Sequence, residues 1–385
     1  MHLVRPDFGR PVILSRFVKR SCVRERFWEE NVKHFQDPWL VIGAKGMLGT
    51  DLMMTLNQAD IDAVGLDVDD VDITQDGPVQ RMLDRYRPGL VINAAALADV
   101  DGCESRQEET FQVNARGPEN LARACRFTES FLLHMSTDYV FDGRLGRPYV
   151  EDDPLSPLGV YGKSKALGEQ LVRANLPDRH CILRTQWLFG LHGKNFVESI
   201  LALAETRDYL KVVNDQYGRP TYSVDLTGAI VQICERGFTG TLNVANSGEA
   251  TWHDFARKIL ELSGRDHVRL EPQTTEELGR PAPRPGYSVL DISRFVELVG
   301  APLLHWEQAL AAYLDSRPRK GDGATPYARL GLRSICPHPL PMYGSFLYGT
   351  RIRCDGLDSP VALLASVRLE GSQSVGGRQS RDSYI

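Results

Sequence analysis

The sequence lacks the features that mark several large classes of protein. It has no run of about 18 apolar residues, which a membrane-spanning helix requires. Its seven cysteines are scattered among 385 residues, without a C-x-x-C pair or the ligand spacing of a zinc site. The net charge is −5, so no basic excess predicts binding to nucleic acid. We therefore expect a soluble cytoplasmic protein with reduced thiols and no membrane partner.

Both ends of the chain differ from its middle. Residues 1–37 are rich in arginine and lack the apolar segment of a secretory signal, and we expect a disordered extension. Residues 318–385 contain Gly, Ser, Arg and Pro without sustained periodicity, so we expect a disordered or loosely attached tail. The predicted folded part lies between these two ends.

Strand and helix signals alternate through the first part of this middle region. Short apolar runs predict strands near 39–42, 63–66, 90–93, 131–135 and 181–184. Amphipathic stretches between them predict helices, which together favour an α/β fold with a doubly wound parallel sheet of the Rossmann type. We expect residues 38–190 to bind NAD(P). Residues 191–317 are the predicted smaller, substrate-binding portion, with strands at Leu210–Val213 and Thr241–Val244 returning to the sheet.

A glycine-rich turn, GAKGMLG, joins the first predicted strand to the first helix. Gly43 permits a tight turn, Gly46 allows backbone amides to approach a pyrophosphate, and Gly49 allows the helix to pack close to the strand. The phosphates are then expected at the helix N-terminus, where unpaired N–H groups point at them. Lys45, Met47 and Leu48 belong to the same predicted cofactor site.

The second predicted strand ends in Asp67, 24 positions after Gly43. A carboxylate there can bond the ribose hydroxyls of NAD, whereas Lys45 can attract the 2′-phosphate of NADP. The choice between NAD(H) and NADP(H) therefore stays open. We include Asp72 and Ile73, which follow this strand, among the expected cofactor contacts.

The third predicted strand runs into small residues, Asn93-Ala94-Ala95-Ala96. Small side chains at the carboxyl end of a parallel strand leave room for a flat cofactor. Asn93 and Asn114 are polar residues in apolar surroundings, where they tie loops or water. We place all five residues on the cofactor side of the site.

Tyr161 and Lys165, in the motif YGKSK, are four residues apart and therefore share one face of a helix. A phenol ordinarily loses its proton near pH 10. A neighbouring ammonium favours the phenolate, so we expect Lys165 to lower the pKa of Tyr161 and to make it a general acid or base.

The motifs GAKGMLG, NAAA, STDYVFDG, YGKSK and NDQYGRPT occur in this order. With them the chain resembles the extended short-chain dehydrogenase/reductase superfamily and, within it, the dTDP-4-dehydrorhamnose reductase family. The resemblance runs from about Trp39 to Leu314 and implies a catalytic triad of Thr137, Tyr161 and Lys165. Thr137 follows an apolar strand, which agrees with a place at the carboxyl edge of the sheet.

The resemblance also implies residues that hold a nucleotide-sugar substrate. They are Val100, Thr137, Asp138, Trp187, Gln216 and Arg284. A guanidinium such as that of Arg284 grips phosphate oxygens in a fork. The chain departs from the family at Ala98, where relatives commonly have threonine, and this leaves the identity of the sugar open.

The implied reaction is reduction of dTDP-4-dehydrorhamnose to dTDP-L-rhamnose with NAD(P)H, in the synthesis of cell-surface polysaccharide. Two alternatives remain: another nucleotide-sugar ketoreductase or epimerase, and a non-catalytic subunit like the regulatory subunit of methionine adenosyltransferase. No His, Cys and Asp residues stand at metal-ligand spacing, although some relatives bind Mg²⁺. The resemblance also allows a homodimer.

Overall fold

The structure is a computed structural model, and it describes residues 38–318. The described region begins with a strand and then alternates strands with helices. The strands are β1 Trp39–Ile42, β2 Ala63–Leu66, β3 Leu90–Asn93, β4 Phe131–Thr137, β5 His180–Thr185, β6 Leu188–Phe189, β7 Tyr209–Val213, β8 Tyr217–Gly218, β9 Thr221–Tyr222, β10 Gly240–Asn243, β11 Asn246–Ser247, β12 Ala250–Thr251, β13 Arg269–Gln273 and β14 Leu303–His305.

The helices lie between these strands. They are α1 Met47–Gln58, α2 Asp76–Tyr86, α3 Val100–Ser105, α4 Gln107–Phe111, α5 Gly117–Thr128, α6 Val160–Asn175, α7 Phe196–Ala204, α8 Ser223–Glu235, α9 Trp252–Leu262, α10 Thr275–Leu278, α11 Ser293–Val299 and α12 Trp306–Ser316. A π-helical turn, Gln112–Arg116, leads into α5, and a 3₁₀ turn, Asp138–Val140, follows β4.

Six strands form one parallel sheet in the order β10-β5-β4-β3-β1-β2. The chain passes from β1 to β2 in one direction, and then crosses back to place β3 on the other side of β1. Ligands of open α/β sheets bind outside the carboxyl ends of the strands at such a reversal. The topology therefore places the candidate site at the ends of β1 and β3.

Alternate side chains of the central strands enter two separate cores. Val41, Ile92 and Leu133 pack with α1 and α8 on one face. Leu40 and Val91 pack with α2, α5 and α6 on the other face. Because both faces bury apolar residues, the strands are continuous hydrophobic runs rather than alternating ones. The predicted α/β class with a doubly wound parallel sheet is confirmed.

A further core lies among the later elements. It joins α7, α9 and α12 around residues such as Phe189, Phe255 and Tyr313. The strand predicted at 210–213 is β7, but its predicted return to the main sheet was wrong, because it pairs with β13 in a separate two-stranded sheet. The strand predicted at 241–244 is β10, which does join the edge of the main sheet. The boundary between 190 and 191 stays a prediction. The predictions for residues 1–37 and, apart from its first residue, for the tail 318–385 lie outside the described residues.

Within residues 38–318, no helix is long and apolar enough to cross a membrane. The cytoplasmic location stays a prediction.

Candidate active site

The glycine turn lies between β1 and α1, directly beside the end of β3. Gly43 has φ +82°, and a Cβ on it would lie 2.7 Å from the backbone nitrogen of Ala95. A Cβ on Gly49 would overlap the carbonyl group of Gly43. Gly43 and Gly49 therefore have to be glycine because strand, turn and helix pack backbone against backbone.

The geometry of this turn fits a dinucleotide. The N-cap of α1 is Gly46, which has no side chain to satisfy the first amides of the helix. Those amides and the positive end of the helix dipole suit a pyrophosphate. Met47 is half-buried and Leu48 packs into the core beneath the turn, so Leu48 shapes the site from below.

Asp67 and Lys45 lie beside each other at the end of β2, as the sequence predicted. The Asp67 carboxylate accepts hydrogen bonds from the backbone N–H groups of Lys45, at 2.8 Å, and Val68, at 2.9 Å. The Lys45 ammonium forms an exposed ion pair with Asp69 at 2.7 Å. Asp69 was missed in the sequence. Its carboxylate partly neutralises the Lys45 ammonium, which was expected to attract a 2′-phosphate.

Asp72 and Ile73 follow this acidic loop and have different environments. Asp72 is exposed and accepts hydrogen bonds from the N–H and hydroxyl of Thr74. Ile73 is buried, contacts Gly117 in the core, and its carbonyl accepts from Asn120. The structure gives Ile73 a packing role and shows the Asp72 carboxylate at the surface.

Asn93 and Asn114 fix the segment that follows β3. Both are fully buried. The Asn93 side-chain oxygen accepts from the N–H of Ala95 at 3.1 Å, and this holds the start of the Ala94–Ala96 segment. Asn114 bonds both backbone groups of Leu97 and also donates to the Ser164 hydroxyl at 3.1 Å. Asn114 thereby ties this loop to the helix that carries Lys165.

Thr137, Asp138 and Tyr161 meet at the carboxyl end of β4. The Thr137 hydroxyl donates to the Asp138 carboxylate at 3.0 Å, and it lies close enough to the Tyr161 phenol to influence its pKa. The other carboxylate oxygen of Asp138 accepts from the Ser288 hydroxyl. Burial raises the pKa of Asp138 to about 7, although these hydrogen bonds lower it. This carboxyl therefore titrates near neutral pH.

Lys165 lies on α6, one turn after Tyr161, and is buried against β4. Its ammonium donates to the backbone carbonyl of Met135 at 2.7 Å. Burial lowers the pKa of Lys165 to about 8, and the charge of Glu169 opposes this shift. Glu169 is itself held by Arg184, with two hydrogen bonds of 2.8 and 2.7 Å.

The predicted effect of Lys165 on Tyr161 was wrong for this state of the protein. Burial raises the pKa of the Tyr161 phenol above its ordinary value, and the nearby Thr137 hydroxyl lowers it only partly. The two residues share a helix face, as their spacing predicted, but the ammonium is bonded to the carbonyl of Met135. Spacing along a helix fixes which side chains are neighbours, but not which partner each selects.

Arg284 is engaged with an acidic residue that the sequence did not single out. Both of its terminal nitrogens lie 3.0 Å from the carboxylate oxygens of Asp101. Arg280 bonds the same carboxylate at 3.0 Å. Asp101 follows Val100 at the start of α3, so this cluster joins the loop after β3 to the segment before β14. The Arg284 guanidinium also interacts electrostatically with Tyr139, whose ring contacts the Tyr161 ring edge-on.

Trp187 and Gln216 form a second group, centred on Trp252. The rings of Trp187 and Trp252 are stacked, with centroids 3.6 Å apart and planes 11° apart. Trp187 has φ +46°, which is a strained backbone conformation for a bulky residue. The Gln216 side chain accepts from Trp252 Nε1 at 3.1 Å and donates to Thr275. The sequence singled out Trp187 and Gln216 but missed Trp252.

No group of three or more His, Cys, Asp or Glu side chains within residues 38–318 is arranged to hold a metal ion. The described residues therefore give no support for a bound Mg²⁺, and we assign magnesium no step.

Comparison with known proteins gives one consistent family. The family model described as RmlD substrate binding domain matches residues 38–318. A dTDP-4-dehydrorhamnose reductase of Streptomyces griseus is 42% identical over 277 residues, covering 71% of this chain and 91% of that protein. A dTDP-4-keto-6-deoxy-D-glucose reductase of Streptomyces niveus is 40% identical over 274 residues, covering 71% of this chain and 95% of that protein.

A solved structure agrees with these relatives. The dTDP-4-dehydrorhamnose reductase of Bacillus anthracis, in complex with NADP, is 35% identical and has a TM-score of 0.69. The match covers 72% of this chain and 98% of that one. The predicted resemblance is confirmed by sequence and by fold.

Proposed function

Because the chain belongs to the dTDP-4-dehydrorhamnose reductase family, we propose that it reduces dTDP-4-dehydrorhamnose to dTDP-L-rhamnose. The protein is an oxidoreductase that uses a nicotinamide dinucleotide. The cofactor, when bound, supplies the hydride, and the chain supplies the proton, the orientation and the exclusion of water. The product serves the synthesis of cell-surface polysaccharide.

One observation carries the proposal. The Thr137 hydroxyl at the end of β4 and the Tyr161 phenol on α6 interact with each other, on a sheet whose β1–β3 reversal carries the glycine turn. A hydroxyl pair beside a dinucleotide turn is what reduction of a ketone requires: one group donates a proton and the other stabilises the developing oxyanion.

Tyr161 is the general acid. Its raised pKa keeps the phenol protonated at neutral pH, and a sugar alkoxide is a stronger base than a phenolate, so the proton moves to the sugar oxygen as negative charge develops there. Lys165 lies one turn away and favours the resulting phenolate when it is charged.

Thr137 is the second hydrogen-bond donor to the same oxygen. In this structure its hydroxyl donates to Asp138, so it has to turn towards the substrate. Protonation of Asp138, whose pKa is near 7, weakens the acceptor that holds the Thr137 hydroxyl and makes it easier for this hydroxyl to turn to the sugar. Arg280 and Arg284 lie where positive charge suits the diphosphate of the nucleotide-sugar.

The cofactor preference follows from the pair at the end of β2. Asp67 disfavours a 2′-phosphate, while Lys45, partly neutralised by Asp69, attracts one. We propose that both NADPH and NADH are accepted. A homodimer stays a prediction.

The test is incubation of the purified full chain with NADPH and dTDP-4-dehydrorhamnose, with product identified by NMR. Two lysines of α6 provide a matched pair: Lys165 is buried, and Lys163 is exposed two residues before it. Lys165→Met should abolish most turnover, whereas Lys163→Met should keep it. Equal activity of the two variants, or wild-type protein without product, would overturn the proposal.

A second ketoreductase activity is favoured by two observations. A relative with a similar identity, 40%, is named for reduction of dTDP-4-keto-6-deoxy-D-glucose, and Ala98 replaces the threonine common in the family. Comparison of kcat/KM for the two keto sugars distinguishes them. An isomerised sugar without net oxidation of NADPH would instead indicate an epimerase, and no turnover of any sugar would indicate a binding subunit.

A further inference from the structure

A buried chain of three polar side chains connects Asn93 to Lys165. The Asn93 amide nitrogen lies 3.2 Å from His134 Nδ1, and His134 Nε2 lies 3.5 Å from Lys165 Nζ. His134 is in the middle of β4 and, like Asn93, has no solvent exposure. The sequence analysis did not identify His134, because a single histidine in an apolar strand carries no spacing signal.

The orientation of the Asn93 amide decides which nitrogen of His134 carries a proton. Asn93 Oδ1 accepts from the N–H of Ala95, so its NH₂ group must face His134. An NH₂ group only donates, and His134 Nδ1 must therefore be the unprotonated acceptor. Burial, followed by the charge of Lys165, lowers the pKa of His134 well below its usual value, so the ring is neutral and its single proton is on Nε2.

The Nε2–H group consequently points at Lys165. A charged Lys165 ammonium has three donors and no acceptor, so it cannot accept a hydrogen bond from the His134 N–H. A neutral Lys165 amine has a lone pair that can accept this hydrogen bond. The amine can accept from His134 and still donate to the carbonyl of Met135 at 2.7 Å. We propose that Asn93 and His134 are positioning residues that set the charge of Lys165, by presenting an N–H that favours the amine over the ammonium.

The other groups around Lys165 do not replace this effect. Glu169, one turn further along α6, favours the ammonium, but Arg184 of β5 and Arg173 of α6 both bond the Glu169 carboxylate. From β4, Ser136 donates to the same carboxylate. The nearest negative charge is thus largely neutralised, and burial with the His134 N–H opposes the charged lysine.

The first experiment measures the tautomer directly. The imidazole ¹⁵N shifts of the full-length, cofactor-free protein identify His134 through the signal lost in His134→Phe. We expect a protonated Nε2 and an unprotonated Nδ1. A protonated Nδ1 in the wild-type protein would overturn the proposal, and this measurement requires no folded variant of Asn93.

The second experiment reverses the direction of the hydrogen bonds between Asn93, His134 and Lys165. Asn93→Asp keeps the acceptor for Ala95 but replaces the NH₂ group with a second acceptor, so His134 should move its proton to Nδ1 and present a lone pair to Lys165. The pKa of Lys165, followed by NMR of ¹³C-labelled lysine and assigned with Lys165→Met, should rise by at least about 1 unit.

A double-mutant cycle separates the effect transmitted through His134 from the direct attraction between the new aspartate and Lys165. The aspartate also attracts the ammonium through space, and this part persists when His134→Phe is added. The proposal requires the rise to be at least halved in the His134→Phe background. An equal rise in both backgrounds would mean that the histidine transmits nothing.

The consequence for turnover rests on the proposed function. Charged Lys165 favours the Tyr161 phenolate, so kcat/KM should fall as pH rises through the pKa of Lys165, and Asn93→Asp should move this fall to higher pH. If the NMR results hold but no keto sugar is reduced, the proposed function fails and the inference about Lys165 stands.

Discussion

Gly218→Ala should displace the Trp187 ring and weaken binding of the nucleotide-sugar. A Cβ at position 218 would lie 2.7 Å from Trp187 Nε1, 2.8 Å from Cζ2 and closer still to Cε2. Gly218 does not have a positive φ, so alanine is compatible with its backbone conformation. The substitution therefore tests the ring position alone.

The size of the effect follows from these distances. Carbon atoms pack at about 3.5 Å or more, so the indole must move by roughly 1 Å. Trp252 blocks a perpendicular shift, because its ring is stacked at a centroid distance of 3.6 Å. Overpacking of this kind costs about 1–3 kcal/mol of stability, and misplacement by about 1 Å can cost a factor of about 10² in rate. We expect kcat/KM to fall by about 10- to 100-fold.

The assay is steady-state kinetics with both substrates varied, together with the melting temperature. KM for the nucleotide-sugar should rise, while the dissociation constant of NADPH should stay within about twofold. Gly286→Ala is the matched control, because its Cβ would be 3.5 Å from the carbonyl of Asp215, an ordinary contact. Wild-type kcat/KM for Gly218→Ala would show that Trp187 does not line the sugar site.

Four further predictions concern the proton, the cofactor and the chain ends. Tyr161→Phe should keep NADPH affinity and lose about 10²–10⁴-fold in turnover, and activity within threefold of wild type, by the same assay, would show that another group protonates the sugar. NADPH and NADH should be used within about 30-fold in kcat/KM; Asp67→Ala should shift this ratio towards NADPH and Lys45→Ala towards NADH, and an unchanged ratio in both would show that neither reaches the ribose. The pKa of Asp138 is raised to about 7 in the folded protein, whereas it is about 4 in the unfolded chain. The contribution of Asp138 to the free energy of unfolding is therefore fully present below about pH 4 and is lost as pH rises through about 7. Asp138→Asn should therefore be more stable relative to wild type at pH 8 than at pH 5 in urea unfolding, and the same difference at both pH values would contradict this. A protein of residues 38–317 should fold and stay active, and a large loss of melting temperature would mean that an end packs on the core.

The sheet could be predicted from the sequence because its strands are buried on both faces. Trp39–Ile42 and Leu90–Asn93 are short apolar runs that end in small or polar residues, and the structure has strands with these same bounds. The glycine turn could be predicted because Gly43 and Gly49 are required by close backbone contacts. These signals lie within short segments, so they can be recognised without knowing which distant residues pack against each segment.

The contacts that set charge in the site could not be predicted in this way. Asp101 and Arg284 are separated by 183 positions, and Asp138 and Ser288 by 150. The sequence shows that each is polar but not which partner folding brings to it. His134 was missed for the same reason, since its two neighbours come from another strand and a helix.

If Arg280 and Arg284 hold the diphosphate as proposed, the Asp101 cluster selects the ligand by size as well as by charge. A tethered carboxylate that bridges Arg280 and Arg284 acts as a competitor whose effective concentration greatly exceeds that of a free anion. Inorganic phosphate has to displace this carboxylate with no other contact to help it. A nucleotide-sugar brings its base and sugar as additional anchors, so it can share or displace the bridge. Under the proposed function, the Asp101 carboxylate thereby keeps small anions from occupying the two arginines.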